Sequence, residues 1–424
     1  MMLRVLWHYW RTKGLKFKQR SQLEAYQQRR FTQFKKTVLA RSPYFSAFLE
    51  QPLSTWPIMN KSTMMEHFNV MNTQGLDKDQ LLACAQQSEV SRDFSPRLGP
   101  FSVGLSSGTS GRRGLFVVQP KEQAIWAGGM LSKMLPKGLF AGEKVALFLR
   151  ANNNLYTSVN SRFLSLKFFD LLTNFAQHLR QLESYQPSII VAPAQVLRAL
   201  ALAKQQGLAI NPKKVISVAE VLDAQDKALL EATFTQVGEV YQATEGFLAA
   251  TCAHGNLHLN EEFLIVEQKW LDDQRFNPII TDFTRITQPI IRYQLDDILV
   301  KRTTACPCGS VCMALERIEG RNDDQLLLPN LQGQHTAVFA DLCSRVIANN
   351  LPLDCDYRLT QEGLTLYLQA PCTEAELTQC QQGLTQAFIE QGINIQPINW
   401  QLSNQPIETD LYNKRRRILR RDRL

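Results

Sequence analysis

The chain has 424 residues, which is long for one core and suits two domains. Its apolar fraction of 44% against 20% charged residues is a globular balance and excludes a disordered chain. The net charge of +8 sits at the ends: residues 1–41 carry eleven Lys/Arg against Glu24, residues 411–424 carry seven against Asp422, and the stretch between sums to −8, which excludes a nucleic-acid binder that is basic throughout.

No apolar run approaches the ~20 residues of a membrane-spanning helix. The start, MMLRVLWHYWRTKG, has neither a long apolar stretch nor a small-residue cleavage site, which argues against a signal peptide. Nine cysteines, an odd number without a regular framework, read as reduced thiols or metal ligands, and the expected compartment is cytoplasmic.

Residues 20–40 place apolar side chains at 23, 26, 31, 34 and 38, near helical spacing, and Ser42-Pro43 stops that helix. A second short helix is predicted over 61–69. FSVGL (101–105) reads as a strand running into a Gly-rich turn. Strands over 144–150, 188–193, 214–218 and 238–241 then alternate with helices over 194–206 and 224–235, which predicts a parallel sheet covered by helices. Two hairpins, 247–267 and 278–302, follow. After GRNDD (320–324) come a strand (325–329), a helix (336–349), a hairpin (355–360 and 364–370), a helix (374–391) and a last strand (393–402). That β-α-β-β-α-β order suits a small ferredoxin-like α+β domain. The expected fold is therefore α/β, with a large domain over 1–322 and a small one over 323–424.

Three segments carry chemistry. In Leu105-Ser-Ser-Gly-Thr-Ser-Gly-Arg-Arg-Gly114, glycines at i, i+3 and i+6 interleave with hydroxyls, so that backbone N–H and side-chain O–H groups can wrap a phosphate. No Gly-Lys-Ser/Thr follows, so it is not a Walker loop; Arg112 and Arg113 add charge. Tyr241-Gln-Ala-Thr-Glu245 follows a predicted strand, where ligand crevices lie in α/β sheets; it offers a stacking face, a hydroxyl and a hard oxygen for Mg²⁺. The third is the stretch Thr281-Asp-Phe283 to Gln288-Pro-Ile-Ile-Arg-Tyr-Gln-Leu-Asp-Asp297, followed by Gly320-Arg-Asn-Asp-Asp324, an apolar strand ending in two carboxylates suited to sugar hydroxyls.

In this order, SSGTSG (106–111), YQATE (241–245), PIIRYQLDD (289–297) and GRNDD (320–324) resemble the acyl-adenylate-forming superfamily, and within it the phenylacetate–CoA ligases and related deazaflavin-cofactor adenylyl synthetases. RSPYFSAF (41–48) and WPIMNKSTM (56–64) extend the resemblance over residues 20–420. The resemblance implies an ATP-dependent, AMP-forming ligase that turns a small carboxylic acid into its adenylate and passes it to CoA or to the phosphopantetheine arm of an acyl-carrier protein. It implies that Ser106, Ser107, Gly108, Thr109, Ser110 and Gly111 hold the ATP phosphates. Ala219, Glu220 and Tyr241 would line the adenine pocket, and Thr244 would meet a phosphate. Glu245 would bind Mg²⁺, Asp297 the ribose hydroxyls with Arg321 nearby, and Asp323 would be the hinge of a mobile small domain. Lys414, in Asn413-Lys-Arg-Arg-Arg417, would stabilise charge during adenylation, although Asn stands where the family has Gly. The rival readings are an adenylyltransferase acting on a phenolic or alcohol acceptor and a non-catalytic nucleotide-binding relative. Nucleic acid is not required.

Cys306-Pro-Cys308 and the loop holding Cys252 and His258 give two plus two soft ligands from adjacent hairpins, a set that suits tetrahedral Zn²⁺ and matches a Cys/His cluster in relatives; Cys312 and His254 are spare candidates. By position in the family, residues 150–175, with Asn152, Asn153, Asn154, Tyr156, Phe163, Phe168 and Phe169, would wall the acyl pocket. The basic start with Trp7, Tyr9 and Trp10 reads first as a helix folding its aromatics onto the large domain. A dock for an acidic carrier protein comes next and a membrane-surface segment last.

Overall fold

The computed structural model describes residues 1–91, 97–105, 114–135, 137–149, 164–171, 174–321, 325–408, 410–411 and 414–421. The phosphate-loop residues Ser106–Gly111, the cations Arg112 and Arg113, the pocket-wall residues Asn152–Asn154, Tyr156 and Phe163, the hinge Asp323, and Asn413 lie outside them. The chain forms two compact units. The first comprises Met1–Asp170, Gly238–Leu295 and Leu299–Arg317; the second comprises Leu171–Val237, Asp296–Ile298 and Ile318–Leu424.

In the first unit, helix Met2–Gly14 buries Val5, Tyr9 and Thr12, and Val5 packs with Ala124 and Ala127 of helix Pro120–Met134. A Cβ at Gly128 would lie 2.6 Å from His8 Cβ and 2.7 Å from the Val5 carbonyl oxygen, so only glycine permits this approach. Helix Arg20–Thr37 buries Leu23, Phe31 and Phe34 at helical spacing, and Gln27 donates from Nε2 to the carbonyls of Glu261 and Leu264. The helix expected over 61–69 breaks at His67 into Lys61–Glu66 and Phe68–Met71, the former capped by Asn60, which accepts from the Thr63 N–H.

Strands Phe101–Leu105 and Leu115–Val118 pair antiparallel in the register Leu105↔Leu115 and so bracket the Gly-rich segment. Strands Glu143–Leu149 and Leu164–Asp170 run parallel. The later strands of this unit pair antiparallel: Gly246–Thr251 joins Val237–Ala243 and Leu257–Leu259, while Arg275–Asp282 joins Leu264–Trp270 and Ile290–Gln294. Glu143–Leu149 is buried at nearly every position, as coverage on both faces requires, whereas its edge partner Leu164–Asp170 is only partly buried.

In the second unit, strands Ile189–Ala192 and Lys214–Ser217 run parallel, with helices Ala194–Gln205 and Ala224–Thr233 after them. Its C-terminal part is a four-stranded sheet in the order Asn399–Ser403, Thr365–Gln369, Arg358–Glu362, Ile418–Arg420, accompanied by helices Ala340–Asn350 and Glu374–Glu390. Its apolar core includes Leu326, Cys343, Ile347, Leu359, Leu366, Leu368, Cys380 and Phe388.

The α+β character is as expected, but the strand pairing departs from a ferredoxin-like arrangement in two respects. Leu326–Pro329 does not enter the sheet; it pairs antiparallel with His335–Val338. Asn330 Oδ1 accepts from the N–H groups of Gln332 and Gln334, and Gly333 takes φ +77°, so a tight turn replaces the expected helix start and the helix begins at Ala340. The vacant edge is filled by Ile418–Arg420, from the basic tail, parallel to Arg358–Glu362.

Candidate nucleotide site and metal cluster

In the first unit, four of the motif segments meet at one pocket. It is lined by Lys61 of the Trp-Pro segment, Gly114 at the exit of the Gly-rich stretch, Thr244 and Glu245 of the Tyr241 turn, and Arg285 and Gln288 before the Ile290 strand. The contacts explain how. Gln288 accepts from the Val117 N–H through Oε1 and donates from Nε2 to the Leu115 carbonyl, fixing the strand that leaves the Gly-rich segment. Met59 and the Arg292–Gln294 segment exchange backbone hydrogen bonds of 2.8 Å, and Arg292, held at φ +42°, pairs bidentately with Glu267.

The Thr244-Glu245 turn lies between paired strands and is half-buried; Tyr241, one turn back, is buried at 7% exposure. Arg285 donates from one guanidinium nitrogen to the carbonyls of Thr244 (3.0 Å) and Glu245 (3.4 Å). Glu122 in turn holds the segment bearing Arg285: its buried carboxylate accepts from the N–H groups of Ile286 and Thr287 and from Thr287 Oγ1. Gly246 lets Asp282 close on the turn, since a Cβ there would lie 3.0 Å from Asp282 Oδ2. Burial pushes the Asp282 carboxyl up to about 6, against the opposing hydrogen bonds from Thr284 and the charge of Arg285.

In the second unit, Ala219 follows strand Lys214–Ser217 in the left-handed region at φ +67°, an unusual conformation for a residue with a Cβ. The next residue, Glu220, accepts from the backbone N–H and Nε2 of Gln195 at the start of helix Ala194–Gln205, where the helix dipole favours a carboxylate. Gln195 Nε2 also donates to the Leu411 carbonyl, so Leu411 lies beside the Ala219-Glu220 turn. Asp297 and Arg321 form an ion pair at 3.7 Å.

The residues after Lys414 are engaged elsewhere than a nucleotide motif suggests. Arg417 is buried; its guanidinium pairs with Asp226 (3.0 Å), Asp356 (2.7 Å) and Asp223 and lies 4.6 Å over the Tyr357 ring. Arg415 pairs with Asp226 and Asp356, and Arg198 pairs with Asp226. Burial opposes ionisation of Asp226 and Asp356, but Arg417, Arg415 and Arg198 outweigh it and hold both carboxyls below the usual range.

Cys252, His258, Cys306 and Cys308 converge in the first unit with ligand atoms all within 4.8 Å of one another. Cys252 Sγ lies 3.7 Å from Cys306 Sγ, and Cys308 Sγ lies 3.4 Å from His258 Nε2. A tetrahedron with Zn–S bonds of ~2.3 Å has S···S edges of roughly 3.8 Å, so the residues fit that geometry. The Cys312 carbonyl is 3.0 Å from His258 Nδ1, leaving Nε2 for the cluster. The spare candidates take supporting parts: the His254 N–H donates to Cys252 Sγ, and Cys312 acts through its carbonyl.

No family model matches the chain, and a search of curated proteins found no match. Solved structures do resemble it. A 2-hydroxyisobutyryl-CoA ligase in the postadenylation state superposes with a TM-score of 0.65 at 16% identity, covering 94% of this chain and 89% of that one. An open conformation of that ligase with its acyl-adenylate and CoA gives 0.58 at 15% identity over 94% and 91%. The GH3.15 acyl acid amido synthetase gives 0.54 at 13% identity over 87% and 86%. The chain shares its fold with these two enzymes.

Within that fold, Thr244, Glu245 and Lys61 share one pocket, Glu220 and Leu411 share Gln195, and Asp297 lies beside Arg321. Sequence reading missed three residues that hold these segments, Arg285, Glu122 and Gln195, and singled out Asp282 within the third motif without its part in closing on the turn. Only Glu122 left a trace, because Gln119-Pro-Lys-Glu122 has the spacing of a capping box and forms one.

Proposed function

We propose that the chain activates a small aryl or acyl carboxylic acid as its adenylate, consuming ATP, and transfers the acyl group to the thiol of CoA or of a carrier-protein phosphopantetheine arm. The observation that supports this most is the pocket where Lys61, Gly114, Thr244, Glu245 and Gln288, distant in sequence, meet at the exit of the Gly-rich segment. In the first step a carboxylate oxygen bonds to the α-phosphorus and the bond to the bridging oxygen of pyrophosphate breaks. In the second the thiol sulfur bonds to the acyl carbon, its proton is released and AMP leaves.

Two anions must meet, so the chain supplies donors and a cation. Ser106–Gly111 would cradle the phosphates, with Thr244 donating a hydroxyl. Ala219, Glu220 and Tyr241 would flank adenine. Asp297, oriented by Arg321, would accept from the ribose hydroxyls. Glu245, its backbone steadied by Arg285, would hold Mg²⁺, which when bound offsets phosphate charge. Residues 323–424 would turn about Asp323 to deliver Lys414 to the carboxylate and α-phosphate. Cys252, His258, Cys306 and Cys308 would hold a structural Zn²⁺ that ties two loops together.

The test is exchange of labelled pyrophosphate into ATP across a panel of aryl and fatty acids. Exchange should depend on a carboxylic acid, and Lys414→Ala should slow it on the order of a hundredfold, while thioester formation from a supplied acyl-adenylate persists. Exchange without any acid dependence, with AMP appearing on a phenolic or alcohol acceptor, would replace the ligase by an adenylyltransferase. For zinc, purified protein should carry the metal, and Cys308→Ser should release it and lower the Tm; a stable, metal-free protein refutes that assignment.

A further inference from the structure

Helix Met2–Gly14 has two apolar faces. Val5, Tyr9 and Thr12 are turned inward. At about 100° per residue, Leu3, Trp7 and Trp10 fall on the opposite side at i, i+4 and i+7. They are 82%, 58% and 54% exposed. Phe140, 62% exposed, lies 6.4 Å from the Trp10 ring and continues the stripe. The expectation that this helix folds its aromatics onto the large domain therefore holds for Tyr9 and fails for both tryptophans.

Cations border the stripe. Arg4 and Arg11 stand on one flank and Lys13 on the other; Lys16 and Lys18 follow, and Glu24 is the first acid in the chain. The Arg11 guanidinium lies 5.2 Å over the Trp7 ring. Burial, with the charges of Arg11, Lys121 and Arg30, lowers the His8 pKa to about 4, so His8 is neutral within a positive field. A single exposed aromatic needs no explanation; a contiguous stripe with cations along both borders does.

We propose that this face is an interfacial anchor that lays the protein on an anionic lipid surface. An apolar centre with cationic borders repeats the layering of such a surface. Leu3 and Phe140 reach the acyl boundary, the indoles sit at headgroup level, and Arg4, Arg11 and Lys13 meet phosphates. The convex helix offers a flat, fluid surface more contact than it offers a partner that needs a groove. Among the described residues no helix is long and apolar enough to cross a membrane, so the contact lies in the interface. None of these residues lines the Glu245 pocket, and the inference stands apart from the proposed activity.

The test is flotation of the full chain with vesicles of equimolar phosphatidylcholine and phosphatidylserine, and with phosphatidylcholine alone. The protein should float with the anionic vesicles and stay down with the neutral ones. Trp7→Ser/Trp10→Ser should weaken binding at least about tenfold, and Arg4→Gln/Arg11→Gln/Lys13→Gln on the order of a hundredfold. Trp7 and Trp10 are exposed, so an unchanged Tm shows that the double variant is folded; if it is not, Trp7→Phe/Trp10→Phe should float nearly as well as the parent. Failure of the parent to float, or equal flotation of the serine variant, overturns the proposal. So does saturable binding to an acidic acyl-carrier protein, or a concentration-dependent dimer lost in the serine variant, when either occurs without flotation.

Discussion

At the C-terminal end of the chain Arg415 and Arg417 turn inward onto Asp223, Asp226 and Asp356, whereas near its start Arg4, Lys13, Lys16 and Lys18 stand in solvent, on or just after the helix that carries the exposed Trp7 and Trp10. Both ends are strongly basic in sequence, with eleven Lys/Arg against one acid over residues 1–41 and seven against one over 411–424. What separates them is the acids within reach: three carboxylates face the guanidiniums of Arg198, Arg415 and Arg417, while among the described residues Arg4, Lys13, Lys16 and Lys18 form no ion pair and the first cation to meet a buried acid is Arg20, on Glu261. A cation desolvated among carboxylates fixes one arrangement of the chain, because removing it strands a buried charge. A cation in water adds little to stability and acts on whatever approaches.

The sharpest way to break this contrast is Arg417→Met. It leaves buried Asp226 and half-buried Asp356 short of a partner and should cost about 3 kcal/mol in urea unfolding; a loss below about 1 kcal/mol would make the two ends alike. The acid limb offers a second readout. Folded-state values below the usual 3.8 mean that the stabilisation from Asp226 and Asp356 is present above that pH and lost as pH falls through the lowered values. That limb should flatten in the variant.

Asp282 sharpens the contrast from the other side, because burial there outweighs its partners and lifts the carboxyl to about 6. A raised folded value means full stability below the usual carboxylate pKa and a loss as pH rises through about 6. Asp282→Asn, which can still accept from Thr284, should remove that loss and gain about 3 kcal/mol at pH 8 relative to acid pH. The smallest effect is expected at the exposed end. Arg4→Gln/Lys13→Gln should change unfolding stability by less than about 0.5 kcal/mol, and a larger cost would mean that those cations hold structure.

The strands and helices of the α/β part were legible because local pattern decides them. Buried apolar runs at 144–150, 188–193 and 214–218 correspond to strands Glu143–Leu149, Ile189–Ala192 and Lys214–Ser217. The motif segments were legible as residue types in a fixed order. Their supports were not, because each acts across a long stretch of chain: Glu122 on Thr287, Arg417 on Asp226. The edge strand Ile418–Arg420 was hidden for a similar reason. Its cations read as a tail, and only pairing with Arg358–Glu362 makes it a strand. The outward turn of Trp7 and Trp10 was obscured because the sequence gives that helix apolar residues on two faces, and only the close approach at Gly128 decides which of them is covered.

That approach at Gly128 has a consequence of its own. With His8 and Val5 seated directly on its backbone, helix Met2–Gly14 is already wound and clamped, its outer stripe presented like the face of a stamp. Contact with a surface then requires no coil-to-helix step and loses little chain entropy, unlike a segment that folds as it binds. The helical circular dichroism of the protein should be the same on vesicles as in solution.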